Sequence, residues 1–290
     1  MKKIVLIFIV NCSLNLFCQE RFNLDYLASK YTLTSFEGFK KLLSIPNDAN
    51  DKIGIEKNIK WTEEEFGKRG FRVSKIMTMG APLLLAKRDF TAKGKTVLIY
   101  LQMDGQPVDP SKWNQENPYV PVLKKMNSTG KWEALDWNKI YEYNDDWRIF
   151  ARSASDAKGP VSMFLAAIDA IDENGITPNF NIKVILDFEE EMGSPNLPDA
   201  VKKNGKLLNS DVLIILDGPR HRLNKPTLTF GARGIATIQL TTYGPIVPQH
   251  SGHFGNYVPN PALRLSKILA SMKDEDGKVT IKGYYDGIKI

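Results

Sequence analysis

Val97-Leu98-Ile99-Tyr100-Leu101-Gln102-Met103-Asp104, Val184-Ile185-Leu186-Asp187-Phe188-Glu189-Glu190-Glu191 and Val212-Leu213-Ile214-Ile215-Leu216-Asp217 share one design, an apolar run that ends in acid. Short, unbroken apolar runs read as strands covered on both faces, which is the habit of parallel sheets. Helical patterns stand between them. Pro160 to Ile171 opens on a proline suited to a first helical turn, and Leu197 to Leu207 precedes the third run. The alternation predicts an α/β fold, a mostly parallel sheet flanked by helices. In such sheets ligands sit beyond the carboxyl ends of the strands, and that is where the acids fall.

Working outward, Ser35 to Leu43 has a helical spacing of Phe36, Phe39, Leu42 and Leu43. Ile53 to Gly67 continues as an amphipathic helix, with Gly70 as its stop. Strands are expected over Phe71–Met77, Pro82–Lys87, Thr96–Leu101, Asn181–Phe188 and Asp211–Leu216, the last a buried one. Pro107 to Asp146 is rich in Pro, Asn, Trp and Tyr, which predicts loops and hairpins over a site. The pattern then changes. Thr227–Phe230 and Gly234–Thr242 predict strands of a second, more exposed sheet, followed by a helix over Pro261–Met272 and a strand-like end at Lys278–Ile290. The expected organisation is a leader at 1–18, a principal domain at 19–230, and the start of a smaller α+β domain at 231–290.

Lys2 and Lys3 precede the apolar run Ile4–Val10, the pattern of a secretory signal peptide. Asn11, Ser13 and Asn15 interrupt it too soon for a membrane span. Phe17 is bulky for a lipid-modified Cys18, so export with cleavage near Cys18 or Gln19 is expected. Cys12 and Cys18 are the only cysteines, and removing the leader would leave no disulfide, thiolate ligand or cysteine nucleophile. Histidine is confined to His221, His250 and His253, so a metal site earlier in the chain must be built of oxygen or borrow a distant histidine. Lys and Arg number 39 against 33 acids, and the excess is scattered rather than clustered with aromatics. That distribution argues against a nucleic-acid partner.

Acidic clusters that converge repel one another and demand a compensating cation. An oxygen-rich, histidine-poor set favours a hard or borderline divalent ion. Each acid also has a plainer reading. Glu189-Glu190-Glu191 could be a solvated helix start, Asp104 and Asp217 turn formers before glycine, and Asp156 a complement to the helix that begins near Pro160. Only their joint occurrence at strand ends makes a site. Ser155 and Lys158 have the S-x-x-K spacing of certain serine hydrolases, but the companion S-D-N and K-T-G motifs are absent.

In chain order, Gln102-Met103-Asp104-Gly105-Gln106-Pro107, Ala151-Arg152-Ser153-Ala154-Ser155-Asp156-Ala157-Lys158-Gly159-Pro160 and Glu190-Glu191-Met192-Gly193-Ser194-Pro195-Asn196-Leu197 stand out. Asp217, Pro226–Gly234 and His250-Ser251-Gly252-His253-Phe254-Gly255 follow. This series resembles the co-catalytic zinc peptidases that include carnosinase, carboxypeptidase G, aminoacylase and succinyl-diaminopimelate desuccinylase. The resemblance implies a hydrolase of dipeptides or N-acylated amino acids with two divalent ions, zinc by preference and manganese or cobalt as alternatives. Asp156 would bridge the ions, with Glu191 on one and Asp217 on the other. Glu190 would be the general base, and Asp104 would orient a neighbouring ligand from behind. His250 would reach the site of a partner chain, in a homodimer formed through the smaller domain, to stabilise the oxyanion.

Three departures stand against that pattern. Gln102 occupies the place of a metal-binding histidine, Ala157 replaces the second of two paired aspartates, and by the same resemblance the sequence is expected to end inside the smaller domain before a last histidine ligand. On this basis Gln102 is expected to coordinate weakly through its carbonyl. A relative that keeps the fold and a binding role without turnover is the competing expectation.

Overall fold

The computed structural model describes residues 23–217, 225, 227–231 and 234–288. The expected leader, its two cysteines, His221 and parts of the 226–234 motif lie outside the described residues. Two compact units divide between Lys225 and Pro226.

The first unit opens with helix α1 (Leu24–Leu43), capped where the Asn23 side chain accepts a bond from Tyr26 N. Lys40 and Lys41 in its last turn complement the helix dipole. It begins well before the Ser35 start that periodicity suggested, because its first turns bury only Tyr31 and show little apolar stripe. Helix α2 (Lys52–Lys68) is capped by Asp51, whose side chain accepts from Ile53 N. Gly70, at φ +73°, ends it as expected. Phe71 N donates to Phe66 O and Gly70 N to Gly67 O, the paired bonds of a Schellman stop.

Strands β1 (Arg72–Ile76), β2 (Leu83–Arg88) and β3 (Lys95–Gln102) follow. The predicted covering loops contain β4 (Val122–Met126) and β5 (Trp132–Ala134), an antiparallel hairpin, and β6 (Arg148–Phe150) completes this small sheet. Helix α3 (Lys158–Glu173) leads to β7 (Phe180–Asp187). The helix expected over Leu197–Leu207 is two pieces, α4 (Leu197–Lys203) and α5 (Gly205–Leu208), broken at Asn204-Gly205. Strand β8 (Val212–Ile215) closes the unit.

The main sheet runs β1-β2-β7-β3-β8. Its three site-bearing strands, β7, β3 and β8, are parallel, while β1 and β2 pair antiparallel on one side. The sheet is therefore mixed, with parallel pairing confined to the half that carries the acids. Its faces bury alternate side chains. Leu84, Ala86, Ile99, Leu101, Val184 and Leu186 join residues of α1, α2 and α3 in the larger core. Leu83, Leu85, Leu98 and Ile185 pack with Ala200 and Leu208 of α4 and α5. Double coverage is the physical reason that these strands read as unbroken apolar runs. A triad of Phe66, Phe71 and Phe164, with ring centroids 5.4–5.9 Å apart, locks α2 to α3. Arg69 clamps the same two helices with a two-pronged bond to Asp169.

Strand β8 departs from expectation. It is an edge strand, and Val212 to Ile215 are 39–59% exposed rather than buried. Apolar composition reports what a strand is suited to bury, and here β3 alone pairs with it among the described residues.

In the second unit, a short turn of helix α6 (Ser251–Phe254) precedes α7 (Pro261–Ala270), capped by Asn260. The strands expected over Thr227–Phe230 and Gly234–Thr242 are absent among the described residues, as is one over 278–288. An alternating pattern makes a strand only when a neighbour supplies the ladder. The single bridge here, Lys273 to Val279, is too little for a sheet. No helix among the described residues is long and apolar enough to cross a membrane.

Candidate metal centre

Parallel register sets the site. Gln102 on β3 pairs with Asp187 on β7, and Tyr100 on β3 pairs with Ile215 on β8. Two residues past the second pair stand Gln102 and Asp217, so the strand repeat aims both side chains to one side of the sheet. Gln102 Nε2 donates to Asp217 Oδ1 at 3.1 Å and to Asp156 Oδ1 at 2.8 Å. Asp156 arrives from the loop that enters α3, joined to the buried Ala157 by a cis peptide bond. One amide thus gathers two carboxylates from separate segments.

The other end of that amide decides what the site can hold. Gln102 is 1% exposed, and its Oε1 is buried with no hydrogen-bond partner. A buried acceptor without a donor carries its full desolvation cost. A half-turn of the amide would aim Oε1 at the same two carboxylates, an arrangement that is repulsive unless a cation stands between them. Two carboxylates and one amide oxygen form an all-oxygen set, suited to a hard or borderline divalent ion. The residues therefore fit a divalent metal. With Nε2 turned inward, the amide N–H group supplies the positive end that the carboxylates need.

Glu190, Glu191 and Asp104 ring this pair. Glu190 to Met192 form one 3₁₀ turn after β7, ended by Gly193 at φ +83°. Glu191 N donates to Asp104 Oδ2 at 3.0 Å, while the Glu191 carboxylate accepts from Gln106 Nε2 at 2.6 Å. Asp104 is fully buried, and its Oδ1 lacks a partner. Burial pushes its carboxyl up to about 7, against the pull of the Glu191 and Glu190 backbone N–H groups. Glu190 is also pushed up to about 7, first by burial and then by the charges of Asp217, Glu191, Asp104 and Asp156. Four acids thus press on one. Among the described residues no three His, Cys, Asp or Glu side chains already stand together as a cage, with Glu191 turned to Gln106.

The loop that carries Glu190 is stapled from below. Asp187 accepts bonds from Tyr100 OH at 3.1 Å, Ser194 Oγ at 2.7 Å and Glu189 N at 3.0 Å. Glu189 accepts from Asn196 Nδ2 at 2.7 Å and Ala81 N at 3.1 Å. The acidic run is therefore not a solvated helix start, since its first member ties the loop to the β1–β2 connection. The sequence gives no sign of these roles for Gln106, Asp187, Glu189 and Ser194. Apart from the local Glu189 N to Asp187 bond, their partners lie 7 to 108 residues away, and nothing local signals such pairings. His250 belongs to the second unit, where its Nδ1 accepts from Gly252 N at 3.0 Å and its ring lies 4.9 Å from that of His253.

These proton affinities fix the sign of a stability change. Asp104 and Glu190 ordinarily ionise at 3.8 and 4.5, and both are raised to about 7 in the fold. Between those values the folded chain holds protons that the unfolded chain has released, so stability falls as pH rises through about 7. Metal-free protein should therefore show a higher urea midpoint near about pH 5 than near about pH 8, and a divalent cation should narrow the difference by replacing the protons. Equal midpoints in chelator at the two pH values would contradict the crowding described here.

The profile of peptidase family M20/M25/M40 matches residues 98–282, more than half of the chain. Cys-Gly metallodipeptidase dug1 of Schizosaccharomyces pombe is 29% identical over 211 residues, covering 71% of this chain and 40% of that protein. The human Beta-Ala-His dipeptidase is 28% identical over 209 residues, covering 71% of this chain and 37% of its own length. Among solved structures, an M20 family metallo-carboxypeptidase from Sulfolobus solfataricus superposes with a TM-score of 0.66 at 29% identity, over 88% of this chain and 53% of that one. The chain spans about half the length, or less, of the relatives it matches. With the matched segment running from β3 through the acids to α7, this chain belongs to peptidase family M20/M25/M40.

Proposed function

We propose that this chain belongs to a divalent-cation-dependent peptidase that hydrolyses the amide bond of dipeptides or N-acylated amino acids. The observation that supports it most directly is the Gln102 amide held between Asp156 and Asp217 at the ends of parallel strands, with Glu190 beside them. The relatives named for Cys-Gly and β-Ala-His dipeptides supply the substrate class.

In this reading Asp156, Asp217, Glu191 and the turned Gln102 carbonyl would hold two divalent ions, zinc by preference. A bound cation acidifies water and polarises the amide carbonyl. Glu190 takes the proton from the attacking water and returns it to the leaving amine. Burial and four acidic neighbours keep Glu190 a stronger base than an ordinary glutamate. Asp104, bonded to Glu191 N, holds the Glu190–Glu191 turn in place. A second reading, binding without turnover, draws on the inward-facing N–H group of Gln102, which occupies the space between the carboxylates.

Release of free amino acids from Cys-Gly and β-Ala-His, followed with zinc or manganese and with chelator, separates the two. Hydrolysis should require the cation, and Glu190→Gln should lower kcat by about 10²–10⁴-fold while the metal stays bound. Ser155→Ala should leave kcat unchanged. Equal turnover by Glu190→Gln sinks the general-base assignment, and saturable dipeptide binding without release favours the second reading.

The same proposal has two chains, exported with removal of residues 1–18, pairing through residues 231–290 so that His250 serves the partner's site. Native mass spectrometry of the exported protein should give twice the mass of the shortened chain, and His250→Ala should lower kcat without lowering cation affinity. A fully active monomer would contradict the pairing.

A further inference from the structure

We infer that Asn47 is a positioning residue of the carboxylate site, a brace that sets the spacing between the Asp104 turn and the Asp156 loop. The inference rests on the metal-binding reading of those carboxylates. Asn47 lies in the connection between α1 and α2, remote in sequence from every acid of the site, and is completely buried. Its Nδ2 donates to Met103 O at 2.9 Å and to Ser153 Oγ at 3.0 Å. Its own carbonyl accepts from Gly105 N at 2.9 Å. Met103 and Gly105 flank Asp104 on either side, and Ser153 begins the turn that presents Asp156.

The other side of Asp156 is tied to the same connection. Lys158 is completely buried, and its Nζ donates to Leu42 O at 2.9 Å and Ile45 O at 2.6 Å. The segment 42–47 therefore grips both flanks of Asp104 and both flanks of Asp156. Contact is close enough to dictate residue types. A Cβ at Gly105 would collide with the Ser153 hydroxyl and come within 3.0 Å of Asn47 Nδ2. Ser153 itself holds φ +60°, a left-handed conformation that a side chain rarely adopts and that surrounding contacts must maintain.

Packing alone does not account for an amide here. Burying one costs free energy unless its bonds are made, and an apolar side chain would fill the space more cheaply. What the amide adds is two directed donors, each aimed at a different acid-bearing loop. Asn58 offers the contrast. It is equally buried, and its Nδ2 donates to Pro46 O of the same connection and to Gly54 O one turn back in α2, both at 2.8 Å. Neither of these two bonds reaches an acid-bearing loop.

The test compares Asn47→Ala and the isosteric Asn47→Asp with Asn58→Ala in the whole chain. Hydrogen–deuterium exchange is read without metal, and zinc affinity is read by competition with a chromophoric chelator. Both Asn47 variants should speed exchange in the segments 103–106 and 153–158 together and weaken zinc binding by about tenfold or more. Asn58→Ala, even with a comparable fall in Tm, should leave both readouts at the wild-type level. Equal loosening by Asn58→Ala would reduce Asn47 to a structural residue and overturn the inference. So would Asn47 variants with unchanged exchange. If wild-type protein takes up no zinc while the Asn47 variants still loosen both segments, the metal reading falls and the brace between the two loops stands.

Discussion

Two carboxylates brought to one place repel, and the fold offers them a shared partner, the Gln102 amide between Asp156 and Asp217. Neighbouring acids hold their protons more tightly, Asp104 because it is buried and Glu190 because burial is compounded by the charges of Asp217, Glu191, Asp104 and Asp156. Glu191 turns to Gln106. The cost surfaces on the far side of the amide, where Gln102 Oε1 is buried without a donor. An interior oxygen left unpaired so close to a crowd of acids is the natural mark of a position that a cation would complete.

Such crowding needs a stiff frame. Three parallel strands hold Asp187, Gln102 and Asp217 in line, with apolar side chains of β3 and β7 packed on both faces behind them. The loops that leave these strands are then fixed by buried polar side chains rather than by further secondary structure. Asp187 and Glu189 fasten the Glu190 turn, while Asn47 and Lys158 fasten the turns of Asp104 and Asp156. Each of these polar groups makes directed bonds, so each fixes an angle as well as a distance. The arrangement divides the labour: apolar burial supplies stability, and directed polar contacts supply placement.

Much of this was legible in the sequence, for definable reasons. The apolar runs before Asp104 and Glu190 could be read because burial on both faces leaves a continuous signal, the run before Asp217 carries the same composition on an exposed edge strand, and the order of the motifs carried the family. Gly70 was legible as a stop because left-handed backbone selects glycine. The polar fastenings were not, because Asn47 to Ser153 and Glu189 to Ala81 join residues 106 and 108 positions apart through single bonds that leave no periodicity. Gln102 was read by its place as a weak metal ligand, but which end of its amide faces the acids is a matter of three-dimensional charge. The strands expected after Thr227 failed for the opposite reason: alternation was present, yet no neighbouring strand among the described residues supplied hydrogen bonds.

The most direct measurement is a crystal structure of the protein grown with manganese, with anomalous scattering used to place the ion. The account predicts a peak among Asp156, Asp217 and Gln102, with the amide turned so that Oε1 faces the ion. A structure in which manganese is absent from that position, and Nε2 still bridges the two carboxylates at saturating manganese, would contradict it.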